Sequence, residues 1–292
     1  MGGSRRWGDS MRFGFNLLLW TAHVEEAHLP IIEDLKAAGY DGVEVPMFGG
    51  DPEHYAWLGQ RLRDAGLGAT GVGIMPGGGK DSISADPAER AGALEHLKWL
   101  TDCTAALGAD LVCGPLHQTL GRFSGAGPTA EEKAHCVEVH KAAARYAAAS
   151  GVSLSVEPLN RFECYFLNTA GAAKALVDAV GEPNYGYLYD TFHFNIEERD
   201  QARCIHATAG AFNHVHISAN DRGTPGPGPI DFASVFTALK ASGYDGWMTV
   251  EAFGSALPAL AAATRVWRPL FETPEDVYQG AIRLMKEGWA AA

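Results

Sequence analysis

Two distant stretches of this chain carry one pattern: Ala38-Gly39-Tyr40-Asp41-Gly42-Val43-Glu44-Val45-Pro46 and Ser242-Gly243-Tyr244-Asp245-Gly246-Trp247-Met248-Thr249-Val250-Glu251. In each, a helical run stops at a glycine, the residue that most easily takes the left-handed turn ending a helix. A Gly-Tyr-Asp-Gly link follows, then a few residues whose side chains alternate in character, the period of a strand with two different faces. The pattern is a helix-to-strand joint, and its recurrence predicts a chain assembled from repeated strand–helix units.

Reading outward from both joints gives eight such units. Strands are expected at 13–17, 42–46, 68–74, 110–115, 153–157, 184–190, 213–217 and 247–251. Helices are expected at 25–38, 52–65, 87–107, 129–150, 169–180, 199–209, 231–242 and 274–289, with a small extra one near 256–264. Alternating strands and helices imply a parallel sheet, and eight units imply a closed α/β barrel, the (β/α)8 or TIM barrel. A doubly wound open sheet is the rival, but no Gly-rich dinucleotide turn stands out. Residues 1–10, rich in Gly, Ser and Arg, read as a disordered leader; 11–292 show no linker and read as one domain.

Composition narrows the function classes. Hydrophobic residues make up 47% and charged residues 20%, ordinary for a globular enzyme. The formal net charge is −12, with no Lys/Arg cluster beyond Arg5-Arg6, which speaks against a nucleic-acid partner. Five widely spaced cysteines include no C-x-x-C pair and read as reduced thiols in a cytoplasm. No apolar run approaches the roughly 18 residues that span a bilayer, so no membrane partner is expected.

In such barrels the chemistry lies at the C-terminal strand ends. The stretch Ser153-Leu154-Ser155-Val156-Glu157-Pro158 delivers Glu157 on its polar face just where Pro158, having no N–H, ends the pairing. The next three strands end alike, in Asp190, His216 and Glu251. Three carboxylates and an imidazole form an oxygen-rich set that suits Mn²⁺, Mg²⁺ or Co²⁺ better than a structural zinc. Without a cation the three carboxylates would repel one another. His214 shares the inward face of its strand with His216 but lies farther from the mouth, and reads as a buried, hydrogen-bonded histidine behind the ligand. Glu44, inward on the second strand, either joins a substrate network or makes a hydrogen bond within the barrel, the second being preferred.

Here the chain resembles the D-tagatose 3-epimerase group, the ketose 3-epimerases of the xylose-isomerase-like barrels. The resemblance is carried by Val156-Glu157-Pro158-Leu159-Asn160-Arg161-Phe162-Glu163, by Asp190-Thr191-Phe192-His193-Phe194-Asn195-Ile196-Glu197-Glu198, by His214-Val215-His216-Ile217-Ser218-Ala219-Asn220-Asp221-Arg222, and by Val250-Glu251. It implies Glu157, Asp190, His216 and Glu251 as ligands of a divalent metal, Mn²⁺ first among the candidates, with Glu157 and Glu251 as the acid/base pair. It implies Glu163, His193 and Arg222 as groups that orient a small ketose, and a homodimer or homotetramer. His193 is expected in the loop after Asp190. Trp20, His117 and Phe253 follow strands one, four and eight and, with Glu44, are candidates for the substrate pocket. The group often places an aromatic residue after strand four, where this chain has Leu116-His117.

Other readings fit less well. Gly73-Ile74-Met75-Pro76-Gly77-Gly78-Gly79-Lys80-Asp81 lacks the first glycine and the final Ser/Thr of a phosphate loop and is expected to be a flexible loop at the barrel mouth. A hydroxypyruvate or aldose–ketose isomerase would use similar ligands. A metal-dependent nuclease would need more His/Asp ligands and a basic rim. A non-catalytic sugar-binding barrel would have no use for both glutamates.

Overall fold

The computed structural model describes residues 11–292; the leader expected at 1–10 lies outside them. The strands are β1 (Arg12–Asn16), β2 (Gly42–Pro46), β3 (Gly68–Val72), β4 (Leu111–Gly114), β5 (Ser153–Val156), β6 (Tyr185–Asp190), β7 (Phe212–Ile217) and β8 (Trp247–Val250). All pair in parallel and in chain order, and β1 pairs with β8 to close the barrel.

The joints that open the sequence reading are built alike. Gly39 and Gly243 take φ of 100° and 76°, and the N–H of the following tyrosine bonds back across the helix end (Tyr40 N to Leu35 O, 3.1 Å; Tyr244 N to Leu239 O, 3.2 Å). Leu67, Ala109 and Val152 close three other helices by the same five-residue return. This geometry satisfies carbonyls left unpaired at a helix end and aims the chain back toward the sheet.

Helices α1 (Leu29–Ala38), α2 (Pro52–Asp64), α3 (Pro87–Leu107), α4 (Ala130–Ala148), α5 (Ala170–Val180), α6 (Thr191–Glu197), α7 (Gln201–Ala207), α8 (Phe232–Ala241), α9 (Pro258–Thr264) and α10 (Pro274–Ala291) follow. The first begins later than residue 25 because Pro30, which has no N–H, belongs in its first turn. Helix α6 stands where a loop was expected, with Asp190 as its N-cap (Phe192 N to Asp190 Oδ1, 2.7 Å).

The strands sort their side chains as the alternation requires. Phe15, Val43, Val45, Tyr187, Tyr189, Val215, Ile217, Met248 and Val250 face the helices and join the main core. Inside the barrel, Val72, Leu111, Cys113 and Leu188 form a small apolar cluster that extends to Leu18 and Phe253. The remaining interior is polar and buried: Asn16, Glu44, Thr70, Ser155, His214, His216 and Thr249. All five cysteines are buried and unpaired. Among the described residues no helix is long and apolar enough to cross a membrane.

Candidate active site

Glu157 and Glu251 each stand one residue past a strand end, and their backbone N–H groups still bond to the neighbouring strand (Glu157 N to Gly114 O, 2.8 Å; Glu251 N to Ile217 O, 3.3 Å). The carboxylates are therefore held by the barrel and not by loose loops. Gly114 has φ of 126°, and a Cβ there would lie 1.9 Å from the Gly73 carbonyl, so the seat of Glu157 admits no side chain at that position.

The barrel brings Glu157, Asp190, His216 and Glu251 together, with one potential ligand atom from each lying within 4.8 Å of all the others. Asp190 divides its oxygens: Oδ1 caps α6, while Oδ2 faces Arg222 Nη1 (3.3 Å) and His216 Nδ1 (3.8 Å). His216 Nδ1 also lies 3.6 Å from Glu251 Oε1, and it is buried without a hydrogen-bond partner. Burial, then the nearby Glu251, pushes the Glu157 carboxyl well above its ordinary pKa, with Asp190 adding to the effect. An orphaned imidazole nitrogen among crowded carboxylates is the donor set that a divalent cation fits.

The resemblance places His193 beside Asp190, and the helix explains how. Three residues on from the cap, its ring returns to the face that Asp190 occupies. It is fully buried, not on the surface. The Asn160 N–H donates to His193 Nδ1 (2.9 Å), so the neutral ring carries its proton on Nε2. That Nε2 lies 2.9 Å from Arg222 Nη2 and 3.5 Å from Glu157 Oε1. Burial, then the Arg222 charge, lowers its pKa to about 3. Both ring nitrogens therefore face donors, the Asn160 N–H and the Arg222 guanidinium, and a neutral ring can accept at only one of them.

Arg222 sits at φ 70°, a backbone conformation that costs a non-glycine residue roughly 1–3 kcal/mol. Its guanidinium lies 3.8 Å from the Phe192 ring centre and 4.9 Å from that of Phe253, and it donates to Glu251 Oε2 at 2.6 Å. Glu163 reaches this network through Asn160, whose Nδ2 donates to Glu163 Oε1 (2.8 Å).

The four pocket candidates separate. Phe253 stacks on Arg222 at the mouth. His117 is buried, packs against Phe166 and bonds through Nε2 to the Glu157 carbonyl (3.1 Å), which anchors the loop that follows β4 beside Glu157. Trp20 packs on Phe15 and Tyr278, in the layer between barrel and helices. Glu44 is fully buried on the other side of His216, facing His214 and His216, each 2.7 Å away, and accepting from Asn16 Nδ2 (3.0 Å), Thr70 Oγ1 (2.9 Å) and Cys113 Sγ (3.2 Å). Burial opposes ionisation of Glu44, yet the two imidazoles outweigh it and hold the carboxyl well below its usual range. It is therefore a buried hydrogen-bond hub and does not line an open pocket.

Sequence reasoning passed over Asn16 and gave Asn160, quoted in the motif after Glu157, no role of its own. Asn16 bridges Glu44 Oε1 and Glu251 Oε1 (3.0 and 3.3 Å). Applying the strand-end rule to β1 would have found it; Asn160 shows itself only once α6 is known to lie beside it. At the end of the stretch expected to be a flexible loop at the mouth, Asp81 is buried and its Oδ2 pairs with Arg122 Nη1 at 2.9 Å.

Comparison with known proteins agrees with this fold. Residues 32–287 match the family model described as xylose isomerase-like TIM barrel, and the chain belongs to that family. It is similar to the L-ribulose 3-epimerase of Methylomonas sp. (strain DH-1), at 32% identity over 95% of this chain and 97% of the relative. It is also similar to the ketose 3-epimerase of Arthrobacter globiformis, at 33% identity over 91% and 93%. The crystal structure of a Methylomonas sp. D-allulose 3-epimerase in complex with D-allulose superposes with a TM-score of 0.88 at 32% identity, covering 96% of this chain and 98% of that one. Within the family, then, the chain falls among the ketose 3-epimerases, and it is an isomerase of that carbohydrate 3-epimerase class.

Proposed function

We propose that this enzyme inverts C3 of a free ketose, with Glu157 and Glu251 as proton carriers on opposite faces of the substrate and a divalent metal, Mn²⁺, held by Glu157, Asp190, His216 and Glu251. One observation carries the reading. Two glutamates from β5 and β8, three strands apart around the barrel, converge on one imidazole and one aspartate. The names of the relatives point the same way.

Inverting a carbon beside a carbonyl requires removing its proton from one face and returning one on the other, through a cis-enediolate. Two positioned carboxylates meet that need, since the one that removes a proton in one direction delivers it in the reverse. The bound metal would stabilise negative charge on adjacent substrate oxygens. Arg222 Nη1 and Asn16 Nδ2 each hold one oxygen of Glu251, which fixes that carboxylate without a loop having to close. His193 and Arg222, in contact with each other, orient the substrate oxygens near C1 and C2, with Glu163 joined to them through Asn160. Phe253 and the loop carrying His117 border the far end of the sugar.

The test uses enzyme stripped with EDTA and reloaded with Mn²⁺, offered fructose, tagatose, psicose, ribulose and xylulose. Metal-restored inversion at C3 of at least one is expected. Restoration of none, or an aldose product, overturns the reading.

A further inference from the structure

We infer that Glu44 is the positioning residue for His216. It holds the imidazole with its proton on Nε2 and the lone pair of Nδ1 turned toward Asp190 and Glu251, and so sets how tightly the four-residue site binds a divalent cation. The inference rests on the metal reading above and deepens it.

The two nitrogens of His216 meet opposite surroundings. Nε2 lies 2.7 Å from Glu44 Oε1, a hydrogen bond to a group that only accepts when ionised. Nδ1 has no hydrogen-bond partner, and its near neighbours are carboxylates. A histidine that donates from one nitrogen is fixed in tautomer and ring orientation and is a stronger ligand at the other.

The rest of the cluster holds Glu44 in turn. His214 takes Oε2 at 2.7 Å, Thr70 and Cys113 donate to the same oxygen, and Asn16 donates to Oε1. Asn16 cannot turn over, because its Oδ1 already accepts from the Leu18 N–H at 2.9 Å. Glu44, Cys113, His214 and His216 would also suit a softer cation as a donor set. Their spacing argues otherwise. Ligands on a tetrahedral ion with bonds of about 2.1 Å stand roughly 3.4 Å apart, not 2.7 Å. The cluster is a hydrogen-bond network, and it reaches the mouth through His216 and through Asn16, which also donates to Glu251 Oε1 at 3.3 Å.

Glu44→Gln separates charge from shape. Because Asn16 donates to Oε1, the amide oxygen must lie on the His216 side and the NH₂ on the His214 side. The tautomer of His216 survives while the negative charge behind it is lost. Titration of the metal-free variant with Mn²⁺ is expected to show one ion per chain, bound roughly 10- to 100-fold more weakly than by the unaltered protein. Equal affinities overturn the inference. Two ions per chain, one of them lost in Cys113→Ser, overturn it by making Glu44 a ligand. Failure of the unaltered protein to bind Mn²⁺ defeats the metal reading itself and the inference with it. Should Glu44→Gln not fold, ¹⁵N spectra of the unaltered protein loaded with Zn²⁺ decide: His216 protonated on Nε2 is expected, and the opposite tautomer overturns the proposal.

Discussion

Glu44, in the middle of β2, and Glu157, just past β5, are both glutamates of one barrel, both almost wholly buried and both close to His216. Their surroundings drive them in opposite directions. Glu44 is ringed by five donors and held ionised; Glu157, beside Glu251 and Asp190, is pushed toward its protonated form. Burial raises both; around Glu44 the donors outweigh it, and around Glu157 the neighbouring carboxylates add to it. Behind His216 the Glu44 carboxylate is met by donors on both oxygens, whereas in front of it Nδ1 faces carboxylates and has no hydrogen-bond partner.

The contrast can be broken first at the front. Glu157→Gln or Glu251→Gln should lower C3 exchange by about 10³-fold or more, measured as loss of C3–H exchange in deuterated water, while sugar binding persists. Normal turnover in either variant would leave the two-glutamate assignment without support.

A buried histidine with no carboxylate beside it gives a control. His140 contacts the Tyr185 hydroxyl (2.6 Å) and the Leu116 carbonyl (3.1 Å), and burial lowers its pKa from 6.5 to about 4. As pH falls the unfolded chain takes up this proton first. The associated stability is complete above about pH 6.5 and is lost as pH drops toward 4, up to about 3 kcal/mol. Urea unfolding at pH 7 and pH 5 should show a smaller pH dependence in His140→Gln than in the unaltered protein; identical slopes would refute the assignment.

Metal loading in front of His216 should be measurable. Mn²⁺ at a hundred times its dissociation constant stabilises the folded state by about 2.7 kcal/mol. At this chain length that is a rise in Tm of about 5 °C. The rise should vanish in Asp190→Asn, and its persistence there would place the ion elsewhere.

Much of this arrangement is legible in the chain. Glycine-ended helices and short alternating strands give the barrel, and the last polar residue of each strand from β5 to β8 gives the four converging donors. Alternation states which face a side chain takes; it is silent on which residue it meets across the barrel. Glu44 and His216 are 172 positions apart and touch only because β1 closes on β8. The helical setting of His193 was hidden for another reason. Seven residues are too few for periodicity to announce α6, and only the Asp190 cap marks its start.

The backbone of the barrel repeats eight times, but its rim does not. The ends of β1 to β4 are Asn16, Pro46, Val72 and Gly114, none of them charged, whereas β5 to β8 lead into Glu157, Asp190, His216 and Glu251. A nearly symmetric scaffold therefore carries a half-ring of charge, and the entrance has a polarity across it as well as along its axis. A small molecule with oxygens at one end and carbons at the other meets two unlike walls and can lie across them in one sense only. Handedness at the mouth is thus supplied by which strands were left uncharged as much as by those that were not.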